Sequence, residues 1–237
     1  MATGLVIFAR MGSRRFPGKA LAPLAGRPLL GRVLDRARCV GGAHRIVVAT
    51  SEECTDDPIS DFARAEGADV FRGALEDVAG RALACCDSYG FERFARICAD
   101  RPFLPWELID ELMELQKAGD FDLATNAQVK SYPSGTMTEV VKTEALRRAI
   151  AQGADAADRE HVTRRFYARP AGFHTVNKHS GHEDWASISL SIDNPHDLPR
   201  AEWILRGLGA RPETATLETV LRRVRDYNHE FEGGDCR

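Results

Sequence analysis

The stretch Leu5-Val6-Ile7-Phe8-Ala9-Arg10-Met11-Gly12-Ser13-Arg14-Arg15-Phe16-Pro17-Gly18-Lys19 decides how this chain is read. It begins with an apolar run of strand length. From Ala9 to Lys19 come four cations, two glycines and a proline, and a second apolar run, Leu29 to Leu34, follows. A loop of this kind behind a buried strand leaves backbone N–H groups free and brings positive charge together, which is how proteins hold a polyphosphate. It has neither the spacing of a P-loop nor the glycine pattern of a dinucleotide fold. Two readings stay open, a solvated basic turn or a phosphate site. Position after the first strand of an α/β pattern favours the second, because ligands bind at the carboxyl ends of such strands.

Working outward, short apolar runs alternate with amphipathic segments, the rhythm of repeated βα units. Leu5–Ala9, Arg45–Thr50, Asp69–Phe71, Arg93–Cys98 and Asp122–Thr125 read as strands. Pro28–Cys39, Pro58–Glu66, Val78–Tyr89 and Pro105–Lys117 read as the helices between them. Asp56-Asp57-Pro58 opens a helix with an acidic cap and a proline in its first turn. Leu108, Leu112 and Leu115 recur at helical spacing. The alternation predicts an α/β fold, a mostly parallel sheet with helices on both faces.

From about Ser131 the rhythm changes. Tyr132-Pro133-Ser134-Gly135 reads as a turn, Met137–Lys142 as a strand leading into a helix from Thr143, and Glu160–Tyr167 as a further helix. Ile188–Ile192 alternates like a strand on the sheet, and a helix carrying Trp203, Leu205 and Leu208 follows. The expectation is a single domain over residues 1–227, with 131–178 as a small extra lobe. Residues 228–237, polar and glycine-containing, are expected to be a flexible tail.

A chain of 237 residues suits one large α/β domain or two small ones. A formal net charge of −3 argues against broad binding to nucleic acid or anionic membrane. No apolar run approaches the roughly 20 residues that cross a bilayer, and Leu5 to Ala9 is too short for a signal-peptide core. The expected location is the cytoplasm. Six cysteines form no C-x-x-C pair and seven histidines no H-x-x-x-H, so reduced, mostly buried thiols are expected rather than zinc.

Two aspartates close apolar runs: Asp100 after Arg96-Ile97-Cys98-Ala99, and Asp193 after Ile188-Ser189-Leu190-Ser191-Ile192. Two carboxylates at the edge of a sheet suit Mg²⁺, which takes a few carboxylates plus phosphate oxygens and waters. The alternative for each is a helix N-cap, since Pro102 and Pro105 follow one and Pro195 the other. Asp197 reads as the cap of the helix after Asn194.

Six separated motifs carry a resemblance. They are Ala9-Arg10-x-x-Ser13-x-Arg15-x-x-x-Lys19, Ala49-Thr50-Ser51 with Asp57-Pro58-Ile59, and Arg72-Gly73-x-x-Glu76-Asp77-Val78-x-Gly80-Arg81. Asp100-x-Pro102, Asp158-Arg159-Glu160-His161-Val162-Thr163 and Ile192-Asp193-Asn194-Pro195-x-Asp197-Leu198 complete the set. In this order they resemble the cytidylyltransferase family, and within it the spore-coat-polysaccharide type. Relatives of that type activate acidic sugars such as sialic acids and 3-deoxy-manno-octulosonate.

The resemblance implies a Rossmann-like nucleotide-diphospho-sugar transferase fold. It also implies a reaction of CTP with an acidic sugar, giving a CMP-sugar and pyrophosphate for a surface glycan or polysaccharide. Carried over by position, Ala9, Arg10, Ser13, Arg15 and Lys19 bind the triphosphate, with Arg10, Arg15 and Lys19 taking part in catalysis. Arg72, Asp77 and Arg81 frame cytosine and ribose, and Asp100 and Asp193 are catalytic and hold Mg²⁺. Tyr132, Glu139, Arg159 and His161 fall on the acceptor side. A homodimer is expected, its contact in 131–178 among Tyr132, Phe166, Tyr167 and Phe173, with Arg165 or His161 close to the neighbouring site.

Ala99 stands where relatives usually have glycine, and Met137 where they commonly have aspartate, so the acceptor's identity does not carry over. Another nucleoside triphosphate, a polyol-phosphate acceptor or a non-catalytic nucleotide-binding module are the alternatives. Lys19, Asp100 and Asp193 together favour catalysis over binding alone.

Overall fold

The computed structural model describes residues 2–231 and Gly233. Its first half runs β1 (Thr3–Phe8), β2 (Pro23–Leu24), β3 (Arg27–Pro28), α1 (Leu29–Ala37), β4 (Arg45–Ser51), α2 (Asp57–Ala65), β5 (Asp69–Gly73), α3 (Val78–Tyr89), β6 (Arg93–Cys98) and α4 (Trp106–Gly119). The second half runs β7 (Leu123–Thr125), β8 (Glu139–Lys142), α5 (Thr143–Ala151), α6 (Ala156–Glu160), α7 (Arg164–Ala168), β9 (Thr175–Asn177), α8 (Leu198–Arg206) and α9 (Leu217–Phe231). A sheet of order β5-β4-β1-β6-β8-β7-β9 forms the centre, and β2 and β3 make a small separate hairpin. β8 is antiparallel to both its neighbours. The other pairings in the large sheet are parallel.

Alternation along each strand builds two cores, one per face, as a sheet covered on both sides requires. On β1, Leu5 and Ile7 join a cluster with Leu30 and Leu34 of α1, Leu112 of α4, Ile204 of α8 and Val220 of α9. Val6 between them joins the opposite cluster with Ala82 of α3, Leu146 of α5 and Phe166 of α7. The α3 helix starts where the Asp77 side chain accepts the Gly80 N–H at 2.9 Å and ends on Gly90, whose φ of 66° suits a residue without Cβ. Through this packing the carboxyl ends of β1, β4, β5 and β6 emerge together at one edge.

The α/β fold and the mostly parallel sheet stand as expected, and the second half differs in several places. Residues 131–178 do not form a lobe beside the sheet: they supply β8 and β9 to it. The reason is packing, because Val140 and Val141 of β8 enter opposite cores. The helix expected over Glu160–Tyr167 is two short ones, parted where Val162 and Thr163 turn inward. Ile188–Ile192 is extended but joins the sheet nowhere, making only a bridge between Ser134 and Ser189. The expected tail is helical as far as Phe231. Residues 232 and 234–237, with Cys236, lie outside the described residues. Cys85 and Cys86 are buried, and burial pushes both thiols up to about 12.

Candidate active site

The loop after β1 folds around one carbonyl. Met11 C=O accepts the N–H groups of Ser13 at 2.9 Å and Gly18 at 3.0 Å. Ser13 Oγ accepts the Phe16 N–H at 3.3 Å. Gly18, at φ 74°, makes the turn into Lys19 that a side chain would strain. The backbone N–H groups of Gly12, Arg14 and Arg15 have no partner among the described residues. A turn with free donors and cations around it is a nest for an anion. Ala9 contributes no free donor, its N–H reaching Ala49 C=O at 3.3 Å.

Asp56 is the residue that fixes this loop, and sequence reading had it only as part of a helix start. Its carboxylate, 1% exposed, accepts from Met11 N at 2.7 Å, Thr50 Oγ1 at 3.1 Å, and Ser51 N and Oγ at 3.3 and 2.5 Å. Burial pushes its pKa up, but the hydrogen bonds from Met11, Ser51 and Thr50 outweigh it and hold the group below the usual carboxylate range. No local pattern marks it, because Asp56 lies five and six residues beyond the Ser51 and Thr50 hydroxyls it accepts from, with Glu52 and Glu53 nearer to them.

The cations of the loop divide into two pairs. Lys19 Nζ lies 2.8 Å from Asp100 Oδ2 and 2.9 Å from Ile192 C=O. Arg15 Nη2 lies 2.6 Å from Asp193 Oδ1. Arg10 and Arg14 are exposed and form no ion pair among the described residues. Ile192 donates its N–H to Asp100 C=O at 3.0 Å, which brings Asp193 alongside Asp100. Neither aspartate caps a helix. Asp193 accepts from Ser191 Oγ at 3.0 Å, while Asp197 takes the N–H groups of Asp193 and Asn194 at 2.7 and 2.8 Å. The cap alternative therefore falls for both residues.

Among the described residues no group of three or more His, Cys, Asp or Glu converges. Two carboxylates beside a loop with free N–H donors do fit Mg²⁺, because that ion keeps waters and phosphate oxygens for its remaining positions. In the chain by itself Lys19 and Arg15 neutralise them.

On the far side, Arg72 and Arg81 support the backbone. Arg72 donates to Ser51 C=O at 2.8 Å and Glu53 C=O at 2.8 Å and pairs with Asp57 at 2.5 Å. Arg81 Nη1 donates to Ala74 C=O at 2.7 Å. Arg72 thus braces the β4–α2 connection, and Arg81 the β5–α3 loop. Asp77 Oδ2 pairs with Arg159 Nη1 at 2.6 Å, so two residues expected to meet different substrates meet each other.

Of the residues expected on the acceptor side, Glu139 and Tyr132 are buried. Glu139, 5% exposed, accepts from Thr163 Oγ1 at 2.5 Å, Tyr167 Oη at 2.6 Å and Arg96 Nη1 at 2.6 Å. Burial pushes its pKa up, but Arg96 and the hydroxyls prevail and keep it ionised. Burial and the adjacent Glu139 push the Tyr167 phenol up. This network ties β8 to β6 and to the start of α7.

Tyr132 is also buried, its hydroxyl 3.5 Å from His179 C=O and its ring edge-on to Trp185. Phe166 and Phe173 pack against each other in the chain's own core, their tilted rings 4.4 Å apart. Arg165 is buried against Asp158, Gly153 C=O and Gln152 C=O. His161 alone of this set is exposed without a side-chain partner. A cavity of about 410 Å³ opens at the opposite edge of the sheet, between the amino-terminal ends of β4 and β5, remote from these groups.

A Rossmann-like sheet with a basic nest and two carboxylates at its carboxyl edge defines a nucleotidyltransferase. The cytidylyltransferase profile matches residues 5–205, and the chain belongs to that family. It is 30% identical over 237 residues to the spore coat polysaccharide biosynthesis protein SpsF of Bacillus subtilis, covering 96% of this chain and 97% of that protein. It is 34% identical over 132 residues to the 8-amino-3,8-dideoxy-manno-octulosonate cytidylyltransferase of Shewanella amazonensis, covering 53% of this chain and 52% of that one. A cytidylyltransferase structure from Leptospira borgpetersenii superposes with a TM-score of 0.92 at 22% identity, covering 100% of this chain and 99% of that one. At that identity the likeness speaks for the fold.

Proposed function

We propose that this chain transfers CMP from CTP to a hydroxyl of an acidic sugar or related compound, releasing pyrophosphate, for a surface glycan or polysaccharide. The observation that carries the reading is the loop after β1. Its free N–H groups at Gly12, Arg14 and Arg15 and its cations adjoin Asp100 and Asp193. Family membership and the name of the Shewanella relative support cytidine and the acidic acceptor.

In the reaction the acceptor hydroxyl gives up its proton to solvent and its oxygen bonds to the α-phosphorus, while the bond to the pyrophosphate oxygen breaks on the opposite side. Charge grows on the leaving oxygens, where fixed donors and cations help most. The nest and Arg10 hold the outer phosphates, and Lys19 and Arg15 turn from the carboxylates towards them. Asp100 and Asp193 would hold Mg²⁺, which supplies charge against the phosphate and lowers the pKa of a nearby hydroxyl. The β5–α3 loop held by Asp77 and Arg81, beside the β4–α2 connection braced by Arg72, frames the nucleoside. The cytoplasm is the compartment this reading requires, because CTP is made there.

We include a homodimer in the proposal, with its contact on the exposed face that carries His161, Arg164 and Arg169. The test of the activity is pyrophosphate release with each of four nucleoside triphosphates against a panel of 2-keto-3-deoxy sugar acids. Release requiring both CTP and an acid supports the reading. Release with another triphosphate or a polyol phosphate alone overturns it, as does CTP binding without release for any acceptor.

A further inference from the structure

Arg101 follows Asp100 directly, and no motif gave it a role. Its side chain is 15% exposed, and Nη1 donates to Met137 C=O, which fixes the direction of the guanidinium. Nε stands 4.0 Å from Asp100 Oδ1, too far for a hydrogen bond. The Nε–Nη2 edge therefore has no hydrogen-bond partner among the described residues. Unlike the Nε atoms of Arg81 and Arg96, it is not sealed from solvent. Arg27 shows what such an edge grips: its Nε and Nη2 hold the two oxygens of Asp35 at 2.7 and 2.9 Å. A planar fork matches a carboxylate in this way.

Two observations place this fork on the acceptor side. Asp100 stands between different cations, Oδ2 with Lys19 of the phosphate loop and Oδ1 facing Arg101. The carbonyl that fixes Arg101 also belongs to the segment beside residues 188–193: Ser134 N–H reaches Ile188 C=O at 2.9 Å and Leu190 N–H reaches Ser134 C=O at 2.8 Å. In that neighbouring segment Leu190 and Ile192 turn into the core. The alternate residues form a polar row, with Ser189 Oγ 3.4 Å from Ser191 Oγ and Ser191 Oγ 3.0 Å from Asp193 Oδ2. A fork for a carboxylate next to a row of hydroxyls ending on Asp193 suits a polyhydroxy acid.

We propose that Arg101 binds the carboxylate of the acceptor and so selects acidic over neutral acceptors. The proposal rests on the reading of this edge as a transferase site, and its test separates the two. Affinities of 3-deoxy-manno-octulosonate, N-acetylneuraminate and gluconate, and of their methyl esters, are measured by calorimetry. Wild type, Arg101→Gln and Arg101→Lys are each titrated without nucleotide and with the uncleavable α,β-methylene analogue of CTP.

At least one acid should bind wild type about tenfold or more tightly than its ester. Arg101→Gln should erase that preference, leaving ester and analogue affinities unchanged, and Arg101→Lys should restore part of it. Unchanged analogue affinity and melting temperature show that the variant folds. The proposal is overturned if no acid outbinds its ester, if Arg101→Gln keeps the preference, or if that variant loses the CTP analogue instead of the acid. Absence of pyrophosphate release with every triphosphate would overturn the transferase reading alone, because the preference for acid over ester is read without turnover.

Discussion

Replacing Asp56 by Asn tests whether one buried carboxylate fixes the phosphate loop. The carboxylate takes Met11 N–H on Oδ1 and three donors, Thr50 Oγ1, Ser51 N and Ser51 Oγ, on Oδ2. An amide can satisfy only one side. If its oxygen keeps Met11, its NH₂ faces the other three donors. The two hydroxyls can rotate to accept, but Ser51 N–H cannot, and a buried donor left unpaired costs about 1–3 kcal/mol. Loss of charge assistance on the remaining bonds adds a similar amount, so a total near 3 kcal/mol is expected.

For a chain of this length each kcal/mol lowers Tm by about 2–4 °C, so Asp56→Asn should melt roughly 6–12 °C below wild type by calorimetry. Because the folded pKa of Asp56 is depressed, its contribution is complete above the unfolded value of about 4 and is lost as pH falls through the lower folded value. The gap between wild type and variant should therefore be level from pH 5 to 8 and shrink below about pH 4. CTP affinity should fall as well, since Met11 is the centre of the nest. A variant melting within about 2 °C of wild type and binding CTP normally would refute this reasoning.

Other expectations concern the charges at the carboxyl edge. Asp100→Asn and Asp193→Asn should each cut turnover by orders of magnitude with little change in melting; near-normal turnover with a lowered Tm would assign them to structure. Lys19→Ala should weaken CTP binding far more than cytidine binding. By releasing Asp100 it should also tighten the binding of Mn²⁺ alone, measured by electron paramagnetic resonance, and a loss of both would contradict the pairing described. In sedimentation at micromolar concentration the chain should run as a dimer. A mass near 26.2 kDa, or a dimer unaffected by reversing the charge of Arg164 and Arg169, would remove that part of the proposal.

The first half of the molecule was legible because its signals are local. Val78–Tyr89 reads as a helix lying between two strands, and β1 and β4 stand out as short apolar runs. The second half depends on contacts across the chain. Thr175-Val176-Asn177 carries no strand signal of its own and becomes β9 only by pairing with β7. Ser189 to Ile192 alternates because one face packs on the core and the other faces the polar row, a pattern that a sheet strand shares. Glu139 looks like a ligand in sequence, since Arg96, Thr163 and Tyr167, which satisfy it, are 43, 24 and 28 residues away. Asp100 and Asp193 drew attention because each ends an apolar run, but the lysine and arginine seated on them were not foreseeable from spacing.

The antiparallel β8 has a consequence for how the chain is made. β7 reaches the rest of the sheet only through β8, although β8 comes later in the sequence. A nascent chain that has emerged as far as residue 138 therefore has β6 with one bare edge and β7 with nothing to join. Open strand edges attract other chains. The nucleotide half can assemble during synthesis, but its exposed flank is covered only when Glu139–Lys142 slides into place. Those four residues act as the closing stave of the sheet. Shortened chains ending before them should be the ones that aggregate.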